Sequence, residues 1–181
     1  NKGRAINIAA SRRAGLRRGK LSYMLSRNDI EKAKAKGMLH PFAPGDHRLR
    51  TPRALLMCQP VLDAITTGSA SDDANLRHRW AQLEGLFEQF VTGGAITQTQ
   101  VKQLRPPKFE HWEFRSVSPR PSLRVFGRFA LPDVFVATHI VERSKLGGMN
   151  SPEFEHEKLV CEEHWTAAGF EPILHGPAGV C

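Results

Sequence analysis

Between residues 113 and 143 the sequence sets Glu113, Arg115, Arg124, Arg128, His139 and Arg143 among apolar residues of strand-forming type. One carboxylate, one imidazole and four cations are the parts needed to cleave RNA by attack of its own 2′-hydroxyl. His139 or Glu113 would take the hydroxyl proton, the cations would stabilise the charge on the phosphorane, and an acid would protonate the leaving 5′-oxygen. Arginine suits the middle task because it stays charged and grips phosphate oxygens in pairs. The plain alternative is that arginines on an exposed strand face serve solubility and cross-strand pairing. The chemistry needs no cofactor. Cys58, Cys161 and Cys181 show no CxxC or Cys/His spacing, so neither a metal site nor a disulfide framework is indicated.

The elements that must hold these residues are three short runs, "HWEFRS", "LRVFGRF" and "VFVATHIVER". Alternation places Trp112 and Phe114 on one face of the first and Glu113 and Arg115 on the other. In the second, Leu123, Val125 and Phe129 oppose Arg124, Phe126 and Arg128. The third is apolar nearly throughout, so its parity is open. If Val134, Val136 and Ile140 point inward, His139 and Arg143 join the arginines on the outer face. Short connections make the neighbouring strands antiparallel.

Helices surround this meander. Leu76, Trp80, Leu83, Phe87 and Phe90 recur at three- and four-residue steps, a helical stripe stopped by Gly93 and Gly94. In "TQTQVKQLRPP", Thr97 and Gln100 have capping-box spacing and the prolines end the segment, which predicts a second, shorter helix antiparallel to the first. After the strands, Ser151 is a cap, Pro152 suits the first helical turn, and Phe154, Cys161, Trp165 and Ala168 line one side up to Gly169. "RALLMCQPVLDAITTG" reads either as an edge strand followed by a short helix or as two helical fragments, because Pro60 interrupts it. The fold class is therefore α+β: a helical hairpin, an antiparallel meander of three to four strands and a C-terminal helix, with the helices on one sheet face.

Charge divides the chain. Of 181 residues, the first 54 carry fourteen Lys and Arg against three acids, and the rest carry twelve against fifteen. A basic block beside a near-neutral domain points to nucleic acid or another polyanion, or simply to a solvated tail. Residues 1–52 read as a Gly- and Pro-containing leader, partly disordered, with one capped helix at "SRNDIEKAKAKGM". Residues 53–170 form the domain and 171–181 a tail. No run is long and apolar enough for a membrane span, and the thiols fit a reducing cytoplasm.

Taken in order, "VKQL", "HWEFRS", "LRVFGRF", "VFVATHIVERSKLGG" and "SPEFEHEKLVCEEHW" resemble the RelE/ParE toxin superfamily, in particular its HigB-like, phage-derived branch, over roughly residues 76–166. The resemblance implies a RelE-like fold and the toxin of a toxin–antitoxin pair. Its partners would be a cognate antitoxin and messenger RNA on the ribosome, where ribosomal RNA is also in contact. The implied activity is that of a metal-independent endoribonuclease. The alternative is a non-catalytic protein of the same fold, either an inhibitor of DNA gyrase or a basic nucleic-acid binder of a mobile element. The resemblance assigns Arg115, Arg124, Arg143 and Lys145 to the site, while Arg128, His139 and Glu113 come from the strands themselves. The chain departs from the pattern in having its one tyrosine, Tyr23, in the leader and "ERSKLGG" in place of a Lys-Lys pair. His156 and His164 are substitutes as acid or base.

Overall fold

The computed structural model describes residues 25–46, 48–148 and 151–172. The first helix, α1 (Arg27–Ala35), starts at Ser26, whose hydroxyl accepts from the Asp29 amide while the Asp29 carboxylate accepts from the Ser26 amide. It ends at Gly37, whose φ of 69° carries the chain into β1 (His40–Pro41). This part of the basic leader thus enters the fold, and Ile30 and Ala33 are buried. Residues 1–24 of the leader lie outside the described residues.

The Pro60 segment is a strand followed by a helix, as in the first of its two readings, but the strand is paired on both sides rather than at an edge. It forms β2 (Ala54–Met57) and then α2 (Gln59–Ser69), with the proline in the first helical turn, where it lacks no needed donor. The aromatic stripe forms α3 (Ala74–Val91), capped by the Asp73 carboxylate on the amides of Asn75 and Leu76. Three strands follow, β3 (Val101–Gln103), β4 (Trp112–Arg115) and β5 (Leu123–Leu131), and then β6 (Val134–Glu142) and α4 (Pro152–Ala167). Among the described residues these strands make one six-stranded mixed sheet, in the order β1-β2-β6-β5-β4-β3. The contact between β2 and β6 is parallel and the other four are antiparallel. The class is α+β with a C-terminal helix.

Four expectations are corrected. The sheet has six strands rather than three or four, because β1 and β2 precede the helices and extend it beyond β6. The second helix is instead a single turn over Thr97–Gln100 leading into β3. The Thr97 amide and hydroxyl donate to the Gln100 side chain at 3.0 and 2.9 Å, but β4 claims the following backbone. The helical pair ahead of the meander is therefore α2 and α3. Third, the helices do not share a sheet face. Phe87, Phe90 and Leu83 of α3 pack with Phe114, Val125 and Phe135 on one side; Trp165 and Ala168 of α4 and Ile30 of α1 pack with Leu56, Val134 and Val136 on the other.

Fourth, the open parity of β6 does not hold through the strand. The β5–β6 register pairs Phe126 with His139 and then Gly127 with Ala137, so Thr138 is an extra residue, a bulge. Ile140 consequently packs with Phe135 and Ala137, while Val136 and Val134 pack beneath α4. The Thr138 hydroxyl donates 3.0 Å to the Phe126 carbonyl at the bulge. Gly127 is required here by close approach, since a Cβ would lie 2.1 Å from the Val136 carbonyl oxygen.

Candidate functional site

The β4–β5 register sets Arg115 directly opposite Arg124, an unfavourable pair of like charges unless something separates or neutralises them. Glu113 does this from two residues earlier on the same face of β4. Its Oε1 accepts from Arg115 Nε at 2.7 Å and from Arg115 Nη2, and its Oε2 lies 3.5 Å from Arg124 Nε. The carboxylate is completely buried, with the two cations over it. Arg124 is fixed further by donating from Nη1 to the Ser116 carbonyl at 3.2 Å, the Ser122 hydroxyl at 3.0 Å and the Leu123 carbonyl at 3.0 Å. Burial pulls its pKa below the usual arginine value, Glu113 opposes that, and the charges of Arg115 and Arg143 add to it. It remains a cation at neutral pH.

The loop from 116 to 122 and the start of the chain beyond β6 complete a groove of about 730 Å³ around these arginines. Arg115, Arg120, Arg124 and Arg143 line it together with Ser116 and Ser122. Arg143 is steadied by donating from Nη1 to the Leu146 carbonyl. Below the loop, Arg79 of α3 is nearly buried and donates at 3.2 Å both to the Pro121 carbonyl and to Glu142. Four arginines and four hydroxyl-bearing residues, Thr99 and Ser144 besides Ser116 and Ser122, therefore line one open space, and the carboxylate that balances two of the arginines is buried behind it. Such a space binds anions, phosphate above all, by paired N–H donors.

Arg128 and His139 are buried away from the groove, each against a glutamate of α4. Arg128 is 1% exposed; its Nη2 donates to Glu162 of α4 and lies 2.8 Å from His111 Nε2, and its guanidinium sits over the Trp165 ring at 5.4 Å. Its Nε and Nη1 are buried without a hydrogen-bond partner. Burial, the largest influence, would raise the Glu162 carboxyl, but the bonds from His111 and Arg128 bring it below its ordinary value. Burial lowers His111 against the pull of Glu162. His139 stacks on Phe126 with centroids 4.9 Å apart and planes 7° from parallel. Its Nε2 is 3.0 Å from Glu157 Oε2, yet not aligned for a hydrogen bond. Burial, together with the nearby His164 and His156, pushes it down to about 3. An imidazole so placed is a neutral core residue that no RNA reaches.

The structure thus brings together Arg115, Arg124 and Arg143, with exposed Lys145 just beyond, and stations Glu113 behind them. It separates Arg128 and His139 from the groove. Sequence reasoning missed Arg120, Ser116 and Ser122, whose one signal was an arginine between two prolines in a Ser-rich turn, "SVSPRPS". It also missed Glu157 and Glu162, acids of α4 that meet His139 and Arg128. Among the described residues no group of three or more His, Cys, Asp or Glu is arranged to hold a metal ion. Cys58 and Cys161 are buried, and burial pushes their thiols up to about 12 and about 11, too high for nucleophiles. No helix among the described residues is long and apolar enough to cross a membrane. No family model, curated protein or solved structure matches the chain.

Proposed function

We propose that this protein binds the phosphate backbone of RNA in the arginine groove, as a RelE-like toxin directed at messenger RNA on the ribosome. One observation carries the reading: four guanidiniums line a single groove in which the balancing carboxylate, Glu113, is buried behind two of them. The order of elements supports it too, since a helical pair, an antiparallel meander (β3 to β6) and a C-terminal helix follow one another as the family resemblance implies. A cognate antitoxin would offer acidic side chains to the same groove.

Binding asks nothing more of the groove than it contains. Cleavage asks for a proton acceptor as well, and neither Glu113 behind the arginines nor His139 under α4 lines it. The arginines would still stabilise a phosphorane. The non-catalytic reading is therefore the second one, favoured by the burial of both candidate bases. Induced expression of the chain followed by primer-extension mapping of cellular messages tests the choice, with Arg124→Ala as control. Discrete, ribosome-dependent cuts that vanish in Arg124→Ala establish the nuclease. Arrest without cuts moves the target to gyrase, and RNA binding without arrest leaves a nucleic-acid binder. Removing Arg124 should weaken RNA binding at least tenfold, as expected for a charge-assisted contact. In wild type the logarithm of affinity should fall with that of salt at a slope of roughly −2, from about 0.7 for each of three phosphates on a single strand.

A further inference from the structure

We infer that the loop from 116 to 122 is the gripping element of the groove, with Arg120 as its phosphate ligand and Val117 as a platform for a nucleobase, so that the groove selects single-stranded RNA over duplex. The inference rests on the reading of the groove as RNA-binding and adds the form of RNA and the residues that choose it.

The four arginines are not equivalent. Arg115 and Arg124 are held by Glu113, Arg124 by three further bonds, and Arg143 by the Leu146 carbonyl. They act as fixed charge. Arg120 is exposed and makes no hydrogen bond or ion pair among the described residues, so all its N–H donors are available to a ligand. Its backbone is nonetheless well placed. The Ser116 amide donates to the Leu123 carbonyl at 3.1 Å, and the Leu123 amide donates to the Ser116 hydroxyl at 2.8 Å. The Arg143 amide holds the Ser122 carbonyl at 2.7 Å, and Arg79 holds that of Pro121 at 3.2 Å. Pro119 and Pro121 fix φ on either side of Arg120. A mobile cation on a stiff, anchored stalk loses little backbone freedom when it closes on a phosphate.

Val117 lines the same groove and is 65% exposed, the most exposed large hydrophobic residue among those described. An inorganic anion has no use for an apolar surface beside the guanidiniums. A nucleotide does, because its base offers an apolar face a few ångströms from its phosphate. In a duplex those faces are stacked away, and in a single strand they are free.

The test is fluorescence anisotropy with a labelled single-stranded RNA octamer and the matching duplex, over a salt series, using the full chain, Arg120→Ala and Val117→Ser. The single strand should bind more tightly than the duplex despite the duplex's denser charge. Arg120→Ala should lose about tenfold in affinity at low salt, with the salt slope shallower by about 0.7. Val117→Ser should lose roughly fivefold with the slope unchanged, as for an apolar contact. Neither side chain is packed in the fold, so both variants should melt with the wild type. If wild type binds RNA but prefers the duplex, or if Arg120→Ala keeps the wild-type slope, the inference is overturned while the groove reading stands. If wild type binds neither RNA, both fall together.

Discussion

Acid should loosen α4 before it touches the rest of the fold, and His139 sets the size of the effect. In the folded chain its pKa is pushed down to about 3, against 6.5 for an ordinary imidazole, by burial and then by His164 and His156. Between those values the unfolded chain carries a proton on this ring that the native chain does not, so stability falls as pH falls. The contribution is fully present above 6.5 and is lost progressively below it. By pH 5 the loss from His139 alone is about 2 kcal/mol, and each further unit towards 3 costs about 1.4 kcal/mol. The side chain is only 8% exposed, so solvent screening takes little from this figure. His111 is also lowered, chiefly by burial, and acts in the same sense; Glu162, lowered by its bonds to His111 and Arg128, joins as pH falls through its folded value. Glu157 is raised by burial and so opposes them, favouring the folded state below the ordinary carboxylate value. Urea unfolding followed by tryptophan fluorescence at pH 7, 6 and 5 measures the slope, Trp165 reporting on α4. His139→Gln should remove close to one proton from the difference between unfolded and native states over this range. An unchanged slope in the variant would refute the reasoning: the native ring would then take its proton and pair with Glu157, 3.0 Å away.

Glu162→Ala leaves the Arg128 guanidinium buried without its carboxylate and should cost about 3 kcal/mol in urea, whereas exposed Glu163→Ala on the same helix should stay within about 0.5 kcal/mol; equal effects would mean that the buried pair contributes nothing. Gly127→Ala drives a methyl to 2.1 Å from the Val136 carbonyl oxygen, in the middle of the sheet, and should destabilise by at least about 2 kcal/mol in a thermal or urea melt.

What could be read from the sequence was whatever depends on neighbours along the chain. Leu76 to Gly93 carries a stripe and a stop within one helix, and Ser151 to Gly169 adds a cap, so both helices were legible, the second with both its termini. Within the meander, β4 and β5 were legible from alternation. The failures each needed knowledge of a distant segment. Thr97 and Gln100 do make their local bond, but whether the chain continues as helix after one turn is decided by β4, eleven or more residues on. Alternation in β6 was uninformative because both faces of that strand are covered, and the bulge at Thr138 is fixed by register with β5 rather than by any residue type near it.

The charges inside the strands, which looked like one site, are two populations with different partners. On β5 and β6, Arg128 and His139 meet Glu162 and Glu157, spaced five residues apart on α4, so these two acids face a buried guanidinium and a neutral imidazole of the sheet. There acids and bases pair with one another beside the apolar stripe of Phe154, Cys161 and Trp165 that docks α4 on the sheet. At the other end of β4 and β5, Arg115, Arg124, Arg143 and Arg120 meet a single carboxylate, Glu113, and α4 does not line the space in front of them. Helix and sheet balance the first population internally. The second keeps a surplus of positive charge directed into open space; bonds to Glu113, Ser116, Ser122 and Leu146 hold Arg115, Arg124 and Arg143 in place, and Arg120 is left free of them. Repulsion among cations kept this close costs stability, and an anion in the groove relieves it. The imbalance, more than the number of arginines, is what supports the proposal that an anion binds in the groove.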